Sequence, residues 1–212
     1  MKRRVLLLLC AVGIAAGAEI LPDPLTGVKR ASAKGSQSAV LAGGCFWCTE
    51  VVFEQLAGVT NVVSGYAGGT RETAKYNLVA AGETDHAESI QITFDPSRIS
   101  YGELLKVFFA TAHDPTQLNK QGPDHGAQYR SAIFYANDEQ RQIAKTYIEQ
   151  LGQAKAFRAQ IVTQVRELKQ FFPAEQSHQD FVKRNPGHPY VVVNAVPKVK
   201  KTRETFPALL KK

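Results

Sequence analysis

The run Gly43-Gly44-Cys45-Phe46-Trp47-Cys48-Thr49-Glu50 holds the most reactive side chains of the 212-residue chain. Two glycines precede a cysteine at the expected start of a helix, where free backbone N–H groups and the helix dipole favour an anion. That placement predicts a lowered pKa for the Cys45 thiol and makes it a nucleophile. Cys48 follows at i+3, a spacing that puts helical Cα atoms about 5 Å apart, within the range a disulfide tolerates. A second thiol there could close onto an oxidised Cys45. A local disulfide of no catalytic interest, or half of a zinc site, fits the same spacing. Zinc needs a second close pair of ligands, and His113 and His125 stand twelve residues apart. Thiol–disulfide exchange of the thioredoxin kind stays open on spacing alone.

The elements that must position these residues can be read from periodicity. Ser38 to Gly43 is a short apolar run, a buried strand, and a helix follows with Val51, Val52 and Leu56 before Gly58. Val59 to Tyr66 and Ser89 to Phe94 read as strands; in the second, Ile90, Ile92 and Phe94 alternate with polar neighbours. Ser100 and Glu103 form a capping box ahead of a helix to about Ala112. Arg130 to Ala136 reads as a strand, Asn137 caps a helix stopped at Gly152, and Gln160 to Arg166 alternates as a last strand. A short helix near Glu175 to Arg184 and a proline-containing tail follow. The expected fold is α/β, a two-layer sandwich with a mixed β-sheet. Residues 66–87 and 113–129 are long loops, which in compact domains are usually functional or disordered.

Composition narrows the class. The net charge is +7, and removing Lys2, Arg3 and Arg4 with a leader leaves 23 − 19 = +4, spread thinly and densest over Lys198 to Arg203. No concentrated basic face or nucleic-acid module accompanies it, so nucleic acid is excluded as a partner and the basic tail reads as a solvated segment. Residues 1–18 have the parts of a secretory signal peptide: a basic start, an apolar stretch from Val5, and Ala16-Gly17-Ala18. The stretch falls short of the ~20 residues of a spanning helix, so export with cleavage is expected, to the periplasm, and Cys10 leaves with the leader. Residues 19–37 read as a linker and 38–212 as the catalytic domain. Two cysteines then remain, too few for a disulfide-stapled scaffold.

GGCFWCTE, the later TDHAES and HDPTQLNKQGPDHGAQYRS together resemble the A-type peptide methionine sulfoxide reductases, from about Val40 to the FPALLKK tail. The resemblance implies a ferredoxin-like fold, no bound cofactor, and thiol-dependent reduction of methionine-S-sulfoxide, free or within oxidised proteins. It places the nucleophile at Cys45 and the S-methyl pocket at Phe46 and Trp47. It makes Glu88 the acid and Tyr76, Asp124 and Tyr129 the polar groups beside the oxygen. An aromatic wall suits the methyl, and a neutral carboxyl suits the S–O dipole. The mechanism expected has a Cys45 thiolate attacking sulfur while Glu88 protonates oxygen, leaving a sulfenic acid. Many relatives carry recycling cysteines in a C-terminal tail, but residues 186–212 hold none. Cys48 is the expected resolving thiol, with direct attack on the sulfenic acid by an external thiol as the alternative; a thioredoxin-like protein or dithiol is the electron donor and the enzyme acts as a monomer. The histidines are read as scaffold and rim. A thiol–disulfide oxidoreductase and a non-enzymatic methionine-binding module are the competing classes.

Overall fold

A computed structural model describes residues 21–212; the leader lies outside the described residues. Six strands form the main sheet: β1 Gln37–Gly43, β2 Val59–Ala67, β3 Ala87–Phe94, β6 Ser131–Tyr135, β7 Gln164–Glu167 and β8 Phe171–Pro173, in the order β7-β6-β1-β3-β2-β8. A small hairpin, β4 Lys120–Gln121 and β5 Asp124–His125, stands apart from it. Among the described residues only β6 and β7 run parallel, and a helical crossover joins them, as a parallel pair needs. The helices are α1 Phe46–Glu54, α2 Tyr76–Ala80, α3 Tyr101–Val107, α4 Asp138–Gln153, α5 Phe181–Arg184 and α6 Val196–Thr205.

Period-two alternation decides which residues meet. Ala39, Leu41, Ile90, Ile92, Phe94 and Ile133 join the main core with α1, α3 and α4. The alternate residues Val40, Ala42, Ala67, Ala87, Ala132 and Phe134 form a thinner cluster roofed by Leu168 and Phe171. Glu88 has the parity of Ile90 and Ile92 and pairs with Tyr66 on β2, so the strand delivers a carboxyl to the helix side of the sheet.

The capping box at Ser100 forms as expected: Ser100 N–H donates to Glu103 Oε2 at 2.8 Å and Glu103 N–H to Ser100 Oγ at 3.2 Å. The helix continues past Val107 as a π-helical turn, Phe108–Ala112. The last alternating strand is shorter than expected, Gln164–Glu167, and the helix near 175–184 shrinks to Phe181–Arg184. Tyr76, expected in a loop, opens α2. The β8 edge strand leaves no clear pattern in the sequence, because it has three residues and one is proline, tolerable only at an edge.

The basic tail is the largest correction. Residues 191–195 form a second π-helical turn leading into α6. Thr202 is fully buried and donates to Thr111 Oγ1 at 2.9 Å, and Phe206 is buried below it. Residues 21–36, read as a linker, form no helix or strand but are fastened along α3 and α4. Leu21 enters the core, Tyr147 O–H donates to Pro22 O at 2.9 Å, and Arg30 bridges Glu103.

Candidate active site

Gly44 turns the chain from β1 into α1 with φ +86, and a Cβ there would lie 2.5 Å from the Gln121 side chain. Cys45 is the N-cap of α1, and its thiol caps no backbone group. The first free N–H of the helix, at Phe46, donates instead to Glu88 Oε2 at 3.0 Å. A thiol and a carboxyl are thus gathered at one helix end, the carboxyl brought by strand parity and the thiol by the glycine turn.

Burial governs the electrostatics. Cys45 is 7% exposed, and its pKa is pushed well above the usual thiol range, first by desolvation, then by its hydrogen bond with Cys48 and the Glu88 charge. The expected lowering by the helix end does not prevail. Glu88 is raised to about 8, by burial first and by Asp124 and Cys48 as well, against the Phe46 N–H bond. It is therefore a neutral acid at pH 7. Cys45 and Cys48 are both free, and the Cys48 thiol is lowered by its bond with Cys45 against its own burial, with the Lys198 charge assisting. Lys198 belongs to the helix that the sequence presents as a solvated tail.

Tyr76 and Tyr129 keep their protons: burial raises both pKa values, and the charges of Glu88, Cys45 and Asp124 add to it. Both phenols thus have Glu88, Cys45 and Asp124 among their charged neighbours. Asp124 stands at the start of β5, where its Oδ2 accepts a 2.5 Å hydrogen bond from Tyr190 O–H. The structure thus brings Cys45, Cys48, Phe46, Trp47, Tyr76, Glu88, Asp124 and Tyr129 to one place, but Asp124 reaches it already bonded.

Sequence reasoning missed most of the aromatic chamber. Phe46 packs on Tyr66 and His178 at 5.9 and 5.5 Å between ring centroids. Trp47 stacks on Phe181 at 3.7 Å and faces the edge of Tyr190 at 5.9 Å. Its indole N–H donates to His178 Nδ1 at 3.3 Å, and that imidazole lies 4.0 Å from the Tyr76 ring. Glu175 fixes the start of α2, accepting from Tyr76 N–H at 2.9 Å and from Tyr66 O–H at 2.8 Å. A usable signal existed: His178, Phe181, His188 and Tyr190 are four rings within a short, otherwise polar stretch. His178, read as rim, forms one wall.

A buried thiol, a neutral carboxyl, two protonated phenols and an aromatic chamber, set at the ends of the two central strands of a mixed sheet, define a thiol enzyme acting on a small polar group joined to an apolar one. Residues 37–209 match the family model described as peptide methionine sulfoxide reductase. The chain is 52% identical over 91% of its length to peptide methionine sulfoxide reductase MsrA 2 of a Synechocystis species, covering 91% of that protein. It is 54% identical over 84% of its length to the MsrA 2 protein of Mesorhizobium japonicum, covering 91% of it. The structure of reduced Mxr1 from Saccharomyces cerevisiae superposes with a TM-score of 0.65 at 34% identity, over 76% of this chain and 91% of that one. This chain belongs to the peptide methionine sulfoxide reductases. Its activity is the thiol-dependent reduction of methionine sulfoxide, a repair of oxidised protein, and neither competing class survives.

Proposed function

We propose that Cys45 takes the oxygen from the S epimer of methionine sulfoxide through a concerted proton relay centred on Glu88. The observation that carries this reading is the neutral carboxyl of Glu88 held at the same helix end as a thiol that burial keeps protonated. A thiolate waiting at rest does not fit such a site. Instead the Glu88 O–H passes its proton to the sulfoxide oxygen while the Cys45 thiol yields its own proton to the carboxylate left behind and its sulfur bonds to the substrate sulfur. Glu88 ends the step as it began it. The oxygen then moves to Cys45, releasing methionine and leaving a sulfenic acid.

Tyr76 and Tyr129 donate to the oxygen as charge grows on it, and Asp124, fixed by Tyr190, borders the polar side. Phe46 and Trp47 face the methyl. Cys48 next attacks the Cys45 sulfenic acid: the S–S bond forms, the S–O bond breaks and water leaves. Its lowered pKa supports this resolving role. A thioredoxin-like protein or small dithiol then reduces the disulfide, with no bound cofactor and the enzyme acting as a monomer. The leader of residues 1–18 directs export to the periplasm, and residues 38–212 form the catalytic domain.

The test supplies purified protein with dithiothreitol and each sulfoxide epimer separately. Methionine should form from the S epimer alone; consumption of the R epimer would refute the assignment. N-terminal sequencing of periplasmic material should begin after Ala18, and retention of all enzyme in the cytoplasm would overturn the export reading.

A further inference from the structure

Arg130 follows Tyr129 in sequence, yet its guanidinium forms no salt bridge among the described residues. Its donors go to carbonyls: Nη1 to Ala127 O at 2.8 Å and His86 O at 3.2 Å, and Nη2 to Asp85 O at 2.8 Å. Those carbonyls lie on the two pieces of chain that carry the oxygen-side groups. Asp85 and His86 lead into β3 just before Glu88, and Ala127 opens the turn that ends at Tyr129. Gly68 closes the third side: its φ is +104, and a Cβ there would lie 2.9 Å from Arg130 Nη2. The His86 ring extends the clamp, with Nδ1 accepting from Gly69 N–H at 3.2 Å and Nε2–H donating to Thr70 O at 2.8 Å.

We infer that Arg130 is a positioning residue for sulfoxide reduction, its planar fork setting the spacing between Glu88 and Tyr129 so that both reach one oxygen. The inference rests on the roles given to those two residues above. Three carbonyls in fixed directions need a rigid fork; an ammonium is a single point and cannot serve them together. Misplacement by about 1 Å far from the chemistry can cost about a hundredfold in rate. The loss should fall on the chemical step and spare binding, because the chamber around Trp47 has its own supports in Phe181 and His178.

The test is the single-turnover rate of methionine formation in Arg130→Lys and Arg130→Ala, measured beside Glu88→Gln. Arg130→Lys should slow the step at least about tenfold, with KM changed much less. Arg130 lines an open cleft of about 570 Å³, so guanidinium ion at non-denaturing concentration should enter Arg130→Ala and restore part of the rate, while leaving wild type unaffected. Wild-type rates in both Arg130 variants with Glu88→Gln slow would overturn this inference alone. A normal rate in Glu88→Gln would instead remove the reading beneath it. A rate loss that only tracks the fraction unfolded, with no rescue by guanidinium, would also overturn it.

Discussion

Two effects oppose each other at Cys45, and their sizes decide the outcome. A helix N-terminus is worth about 0.3 to 1 kcal/mol to a nearby anion, whereas full burial can move a pKa by about 3 to 5 units at ~1.4 kcal/mol each. Burial wins, so the thiol keeps its proton until substrate arrives. Glu88, raised to about 8, is the group whose titration should be visible. The first-step rate should be flat below neutrality and fall as pH rises through about 8, because the deprotonated acid cannot donate. Glu88→Gln should lower the rate at pH 7 by about a hundredfold or more and abolish that fall; stopped-flow methionine formation across pH 6 to 9.5 checks both. Tyr190 holds the Asp124 carboxylate, which the proposed mechanism sets on the oxygen side. Tyr190→Phe should cost about 1.5 kcal/mol, roughly tenfold, in kcat/KM for the S epimer without removing activity.

At the scale of elements, what is legible in the sequence is what repeats. Alternation reveals β3, and extending it by one step, from Ile90 back to Glu88, is enough to put the acid on the helix side of the sheet. The glycine turn before Cys45 and the capping box at Ser100 are local devices and are equally legible. The chamber walls are legible only as a cluster of rings, because His178, Phe181, His188 and Tyr190 lie on short, aperiodic pieces of chain and meet Trp47 through contacts distant in sequence. The C-terminal helix is hidden for a related reason: Lys198 to Arg203 is polar nearly throughout, and its anchor is a single buried threonine. Thr202→Val removes the hydroxyl that donates to Thr111 while keeping the shape, and should cost about 1 kcal/mol in denaturant unfolding. A cost near zero would mean that α6 is held by Phe206 and its neighbours instead.

Across the whole molecule, several buried ionisable groups tie stability to pH. Glu50, on the buried face of α1, is raised to about 7 by burial, and Glu88 to about 8. Between pH 6.5 and 8 the folded protein holds protons on these carboxyls that the unfolded chain has released, so stability must fall as pH rises. His113 acts at the other end. Burial depresses it to about 3, and its neutral ring donates from Nδ1 to Phe108 O and accepts at Nε2 from Ser131 O–H. The stability this contributes is lost as pH falls below about 6.5. The melting temperature should therefore decline from pH 6.5 to 8 in wild type and decline less in Glu50→Gln, as scanning calorimetry would show. An unchanged slope in that variant would place the coupling elsewhere.

The central claim, that Cys45 receives the oxygen and Cys48 removes it, is tested most directly by mass spectrometry after one turnover without reductant. Wild type should release one methionine per chain and yield a peptide with Cys45 and Cys48 joined. Cys48→Ser should release the same methionine and carry one added oxygen on Cys45. Methionine formed by Cys45→Ser, or oxygen found on any other residue of Cys48→Ser, would contradict the account.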